Sequence, residues 1–506
     1  MFDLRCLFVS CKLMDPASLL LRLSFFGLFL ILLYLYATRN FNYWKKRNIK
    51  YVKPVPFIGN LGPMITLKKN IGFFLLDMCE TLKSDVFGFF AFDTPFLVVT
   101  SPKLLKNILV KDFSIFNDRI VYSPNGHPIL ENVMFLAKGQ SWKNVRSKSS
   151  PAFTSGKLKN MFLLILKECK LLTDYIDKFV DMPNVEAKEI CAKYSTNVIA
   201  RCAFAVEANS FESDDAEFRK IGSRLINMKL STAIRQTICW FSPMIVKLFG
   251  ISVFEGSSVT RLSAIFKEVL HTRMNSNENT SNDLIDVLLE SKKKGSELSE
   301  DFMVGSAVQF FTAGFETVSS VLSFTLYELT VNPDIQQRLR KEILKHIDEN
   351  GFTYESLNAM KYLDMCVSET LRKYPTLPFL DRVCNADYKL TDEITIEKGT
   401  KIFVPLFGLH YNKELFPNPY KYDPERFADK SVINADNMLY YMPFGEGPRI
   451  CIGNRFGLMG VKTALVSILS KFDLVKSDKT PEHINFDPKG IVLQSTIGIP
   501  ITFKHL

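Results

Sequence analysis

Phe444-Gly-Glu-Gly-Pro-Arg-Ile-Cys451-Ile-Gly453 is the stretch that decides how this chain is read. Glycines at 445, 447 and 453 free the backbone for tight turns and for close approach to a flat ligand. Arg449 places a fixed cation two residues before a thiol. A cysteine near positive charge and loop amides has a lowered pKa and reaches the thiolate, the form that ligates metals. A structural cysteine buried in a turn is the ordinary reading of Cys451 taken alone. Phe444, Gly447, Arg449, Cys451 and Gly453 fix more than one position, however. At roughly 5% usage each, chance gives this spacing in on the order of one in several thousand chains of this length. The pattern favours a thiolate presented from a rigid glycine-rich loop, which is what axial ligation of haem iron needs.

Outward from that loop, composition narrows the class. The 506 residues are 47% apolar and 23% charged, ordinary for a folded domain. Wholesale disorder, collagen-like repeats and a polytopic transporter are excluded. Phe is overused, 43 residues against 3 Trp, which is material for a large core or an apolar ligand cavity. The net charge of +10 is spread without a dominant block. It suits an acidic protein partner or an anionic membrane surface, and no nucleic acid is expected. Ten cysteines lie scattered without a CxxC pair and no HExxH occurs. That usage indicates a reducing compartment and neither a zinc site nor a disulfide framework.

Residues 17–38, ASLLLRLSFFGLFLILLYLYAT, are long enough to cross a hydrocarbon core of about 30 Å as a helix. Arg22 lies near one end, where it can snorkel. Tyr34 and Tyr36 mark the other, and Lys45, Lys46, Arg47 and Lys50 follow, which places the remainder on the cytosolic side. Large side chains stand where a leader peptide needs small ones, so an anchor is expected. Met14 is the expected start, with residues 1–13 an upstream extension. The sequon Asn279-Thr280-Ser281 would stay unused on that side.

Three units are expected: extension and transmembrane anchor over 1–38, a basic, Pro-rich hinge over 39–60, and a catalytic domain over 61–506. The last reads as mainly α with small β-sheets, an α+β chain. Residues 86–100 form a hairpin candidate around Asp93-Thr94-Pro95. Residues 155–270 are helical in pattern and 275–282 a polar loop. A helix capped by Ser299, with Glu300 and Asp301 in its first turn, runs to Asn332-Pro333. At about 48 Å and apolar on nearly all sides, it should cross the middle of the fold. Helices follow from Pro333 and over 362–374, and short strands over 383–405 and 484–504. No internal repeat is evident.

Other motifs fall on these elements. In Ala313-Gly-Phe-Glu-Thr317, Thr317 can bond back to the carbonyl of Ala313 and Gly314 leaves space. A hydroxyl and a carboxylate there could deliver protons to bound oxygen, though an ordinary threonine in an apolar helix explains the motif standing alone. Glu369-Thr-Leu-Arg372 puts opposite charges on one helix face. Trp142 and Arg146 are neighbours one helical turn apart.

In this order the motifs resemble those of the cytochrome P450 haem-thiolate monooxygenases, from residue 53 onward. FGEGPRICIGNRFGLM and AGFET resemble in detail the insect microsomal members that oxidise xenobiotics. The resemblance implies the cytochrome P450 fold behind one N-terminal transmembrane helix, with haem b as cofactor. It assigns Cys451 as iron ligand and Phe444 to the cofactor loop. Trp142, Arg146, Arg449 and Arg382 are assigned to the haem propionates. Thr317 and Glu316 take proton delivery, and Glu369 and Arg372 form a buried cluster with Arg426 of Pro424-Glu425-Arg426-Phe427. Pocket walls are implied over 116–136 and 377–380 and at Phe310, Ala313 and Leu493, with Ile120 where relatives often carry Gly. Partners implied are O2, an apolar small-molecule substrate, NADPH-cytochrome P450 reductase and cytochrome b5. Lys143 and Arg455 are candidates for docking the reductase. The implied location is the endoplasmic reticulum membrane, catalytic domain on the cytosolic face. An isomerase or dehydratase of the same fold working without reductase, and a non-catalytic membrane-tethered haem-binding protein, are the competing functions.

Overall fold

Residues 16–124, 126–225, 229–275, 283–295, 297–429 and 438–506 are described by the structure, a computed structural model. Met14, the sequon at 279–281 and most of the polar loop 275–282 lie outside them.

The apolar run after Met14 is helix α1 (Pro16–Thr38). Its Leu and Phe side chains are exposed rather than packed on the body, and no other described helix is long and apolar enough to cross a membrane. The expected hinge is docked, not free. Trp44 is fully buried and its indole N–H donates to the Phe89 carbonyl at 3.3 Å. A Cβ on Gly88 would lie 2.4 Å from that indole, so the glycine makes the room. The folded domain therefore takes in part of the 39–60 stretch.

The elements that place the site follow in order. They are β1 (Val86–Ala91), β2 (Thr94–Val99), α2 (Gly139–Ser149), α3 (Ala187–Phe204), α4 (Leu230–Phe241), α5 (Pro243–Phe249) and α6 (Glu300–Val331). Then come α7 (Lys361–Lys373), β3 (Phe379–Val383), β4 (Lys401–Pro405), α8 (Asn454–Leu469), β5 (Phe472–Val475) and β6 (Pro500–His505). The hairpin forms as expected, with Phe89 opposite Phe96. β2 then pairs with β4 in parallel, and β4 with β3 antiparallel, to give the order β1-β2-β4-β3. β6 lies between β5 and the two-residue strand Val185–Glu186.

Helix α6 runs 32 residues. Ser299 caps it, its hydroxyl accepting from the Phe302 N–H at 3.1 Å. Apolar side chains all round bury it against α3, α7 and α8, as its lack of a polar face requires. Gly314 has a different use from the one expected. A Cβ there would lie 2.4 Å from Ile199 Cδ1, so the missing side chain lets α3 approach and leaves no opening on that side.

Candidate active site

The cysteine loop joins the single turn Gly447–Arg449 to the start of α8. Gly445 (φ 77°) and Gly447 (φ 72°) are left-handed, and a Cβ on Gly447 would lie 1.9 Å from the Leu109 carbonyl oxygen. Cys451 N–H closes the loop by donating to Phe444 O at 2.9 Å. Of the eight described cysteines only Cys451 is exposed. Yet Arg449 before it and Phe456 after it are buried, and enclosure pushes its thiol pKa up. Both facts hold if the sulfur faces an internal space rather than bulk water.

The Gly453 amide, Arg146 and Arg119 oppose that upward shift. Arg449 does not, which corrects the sequence expectation. Its guanidinium lies over the Trp142 ring, 4.5 Å from the centroid, and donates to the carbonyls of Asn117, Met134 and Ala137. Arg449 thus ties the cysteine loop to the 117–137 segment. A bound metal is what deprotonates such a thiol.

Arg119, Arg382 and Arg449 form a buried cationic cluster. Burial, then Arg119, pulls the Arg382 pKa down to about 9; Arg449 is lowered to about 9 by burial, Arg119 and Arg382. Guanidinium keeps its proton in proteins, so the shift reports repulsion. Asp381 answers part of it, accepting from Arg119 Nη1 at 3.1 Å. The Nε of both Arg119 and Arg382 has no partner among the described residues. Unpaired buried donors beside crowded cations fit an anionic group, and the two carboxylates of haem suit this site. Arg146 stands apart from the cluster, donating to Ile450 O next to Cys451 at 2.9 Å.

Across the loop lies the middle of α6. Phe310 packs on Phe456 of α8 with centroids 5.6 Å apart, and Val318 reaches the Gly457 and Gly460 positions. In a stretch otherwise buried, Ala313 and Thr317 are exposed, so they face an opening inside the protein. Thr317 Oγ1 donates to Ala313 O at 2.7 Å, as the motif suggested. Glu316 does not share that opening. Its carboxylate accepts from Lys188 Nζ at 2.9 Å, Gln494 Nε2 at 2.8 Å and Ser320 Oγ at 3.3 Å. Ile120, the departure in the pocket wall, is fully buried and its N–H donates to Asp381.

Behind the loop, the structure brings Glu369, Arg372 and Arg426 together. Arg372 Nε and Nη2 donate to Glu369 at 2.7 and 2.8 Å, and Arg426 Nε reaches it at 3.3 Å. Burial pushes the Glu369 carboxyl up, against Arg372, the Asp423 amide and Arg426. His410 continues this cluster toward the cysteine loop. Burial first, then Arg372, lowers its pKa to about 3, so the ring is neutral. Its Nδ1–H then donates to Arg372 O at 3.1 Å, and Nε2 accepts from Met442 N–H at 3.3 Å.

Arg119, Lys188 and His410 were not singled out from sequence. Arg119 lies within the 116–136 stretch read as pocket wall, but its partner Asp381 is 262 residues away. No local pattern signals such a meeting.

The cytochrome P450 family model matches residues 50–500. The chain belongs to the cytochrome P450 family. It is 42% identical over 476 residues to Cytochrome P450 6j1 of Blattella germanica, covering 93% of this chain and 94% of that one. It is 38% identical to Cytochrome P450 6k1 of the same insect, over 98% of each, and 34% identical to Probable cytochrome P450 6g2 of Drosophila melanogaster, over 92% and 95%. The protein is accordingly a haem-thiolate monooxygenase, an oxidoreductase using haem iron with cysteine ligation, O2 and a redox partner.

Proposed function

We propose that this monooxygenase inserts one atom of O2 into an apolar small molecule, a xenobiotic or a lipid-like endogenous compound. NADPH-cytochrome P450 reductase delivers the electrons, and cytochrome b5 serves as an auxiliary donor. The observation that carries this reading is the accessible Cys451 beside an internal opening that α6 lines with Ala313, Thr317 and Phe310. Apolar walls of this kind favour apolar substrates.

When bound, haem supplies the O2 chemistry, its thiolate favouring O–O cleavage. Cys451 is the proposed ligand, held by the Phe444 carbonyl and the Gly453 amide. Arg119, Arg382 and Arg449 hold the propionate side, with Trp142 as the platform under Arg449. Arg146 braces the loop through Ile450. Thr317 Oγ1 keeps acceptor lone pairs turned to the opening and exchanges its proton with water there. Glu316, pinned by Lys188 and Gln494, positions α6 against α3 and the C-terminal segment. Glu369, Arg372 and Arg426 support the loop and do no bond chemistry.

Anchor α1 supports residence in the endoplasmic reticulum membrane, with the catalytic domain on the cytosolic face. Met244, Leu248 and Phe249 of α5 are at least two-thirds exposed and supply a second lipid contact. Reconstitution with reductase tests the function: substrate should be oxidised only with both NADPH and O2. Peroxide rearrangement without reductase would favour the isomerase instead. Haem binding with no substrate-dependent NADPH use would favour the non-catalytic protein.

A further inference from the structure

Helix α4 carries three side chains with polar atoms left unpartnered among the described residues: Trp240, Gln236 and, outside the crevice those two line, the Arg235 guanidinium. Trp240 is 3% exposed, and its indole N–H meets no acceptor among the described residues. Gln236, one turn earlier on the same face, leaves its side-chain oxygen unpaired as well. Native interiors hold few such groups, because an unmatched buried donor loses its water without compensation. The helix is otherwise firmly seated. Tyr122 N–H donates to Cys239 O at 2.9 Å, and the Trp240 ring lies between Phe379 (6.1 Å, edge-on) and Phe135 (6.3 Å).

Trp240 and Gln236 line a crevice of about 40 Å³, walled by Met64, Ile71, Phe379 and Ile491. A water needs about 10–15 Å³ of such space, so the crevice takes one functional group and not a whole substrate. Two residues packed on Trp240 lead from it toward the active site. Phe379 begins β3, which runs on to Arg382 of the arginine cluster. Phe135 lies under the Arg119 guanidinium, and its N–H donates to Gln309 of α6.

The chemistry of the lining selects the group. An indole N–H only donates, so its partner must accept. The one charged lining residue, Lys489, already faces Asp487 at 3.2 Å. An ionised acid would stay uncompensated among the apolar walls, whereas a neutral carbonyl, ester or ether oxygen would not. The unpaired Gln236 oxygen is itself an acceptor, so it takes a donor such as water and adds no bond to that oxygen. We infer that the Trp240 indole N–H is a polar clasp at the rim of the substrate cavity that binds a neutral oxygen acceptor on an otherwise apolar substrate. This rests on the monooxygenase reading and names the substrate class within it: ketones, esters and ethers with a hydrocarbon body, above plain hydrocarbons.

The test is a pair of spectral titrations of the full-length haem protein in lipid nanodiscs, with 2-undecanone and undecane, on wild type and Trp240→Phe. Comparing each probe with itself across the two proteins cancels its partition into lipid. Trp240→Phe keeps an aromatic ring and removes the N–H. Ketone binding should weaken about fivefold more than alkane binding, the worth of one hydrogen bond. Equal weakening of both probes would make Trp240 mere packing, and no change in either would leave the N–H to water; both overturn the clasp. The wild-type chain labelled with 5-fluorotryptophan gives a reading that needs no variant. One of its three tryptophan resonances should shift with 2-undecanone and stay with undecane, and three that respond alike to both probes would refute the inference. A carbon monoxide spectrum on the same samples separates this outcome from failure of the monooxygenase reading, since a thiolate band shows the haem site intact whatever the clasp does.

Discussion

Replacing Glu369 by Ala removes the counter-charge of a cation that has no access to water. Arg372 and Glu369 are both 0% exposed, and Glu369 accepts from Arg372, Arg426 and the Asp423 amide at 2.9 Å. Arg372 would keep its bonds to the carbonyls of His410 (2.9 Å) and Pro419 (2.7 Å), so it retains hydrogen bonding but loses neutralisation. Breaking a buried pair by removing one partner costs about 3–5 kcal/mol. With an unfolding entropy of about 2.1 cal/mol/K per residue over about 450 folded residues, that is a fall in Tm of about 3–5 °C. The local effect should be larger, because Arg372 is joined through His410 to Met442 at the head of the cysteine loop. The assay is haem content per chain beside thermal unfolding of the full-length protein. Glu369→Gln, which keeps an acceptor and loses the charge, should fall between the two. Glu369→Leu combined with Arg372→Met should recover part of the loss, since apolar replacement of a whole buried pair is often neutral. A Glu369→Ala protein with full haem content and Tm within about 1 °C of wild type would refute the reasoning.

Thr317→Ala should cut product formation on the order of 100-fold while NADPH oxidation continues, with peroxide released in place of product; unchanged coupling would remove Thr317 from proton transfer. For His410, burial and Arg372 lower the folded pKa from 6.5 to about 3, so the unfolded chain alone takes up a proton within that window. Stability must then fall as pH drops from 6.5 toward 3, by up to about 1.4 kcal/mol per unit. Unfolding measured from pH 7 to pH 5 should show this slope in wild type and lose it in His410→Gln. Deleting residues 16–38 should release the protein from membranes only in part. Adding Leu248→Ser and Phe249→Ser should lower the remaining partition more than tenfold, from about 1.5–3 kcal/mol for each buried side chain, as flotation would measure.

The readable features were local ones. The cysteine loop announces itself because its turns need glycine at fixed places and the ligand must be a thiol. The long helix was legible from Ser299, its acidic first turn and its apolar faces, and Glu369 with Arg372 from their spacing. Features set by packing between distant segments were hidden. Gly314 reads as space in a groove until Ile199 is found filling it. Arg449 reads as the activator of its neighbouring thiol until Trp142 draws it away. Glu316 reads as a proton donor beside Thr317, but a one-residue step turns a helix by about 100°, which sends its carboxylate to Lys188. Arg119 and His410 matter through partners hundreds or dozens of residues away, and nothing local marks them. The stretch 39–60 reads as a hinge because of Pro54, Pro56 and the basic residues before them, while one tryptophan decides its docking.

The central claim is that Cys451 ligates haem iron as thiolate. The direct measurement is the carbon monoxide difference spectrum of the reduced full-length protein, wild type beside Cys451→Ser. The expected result is a Soret band strongly red-shifted from that of histidine-ligated haem in wild type, absent in Cys451→Ser. A histidine-like band in well-folded wild type, or a red-shifted band that survives the loss of Cys451, would contradict it.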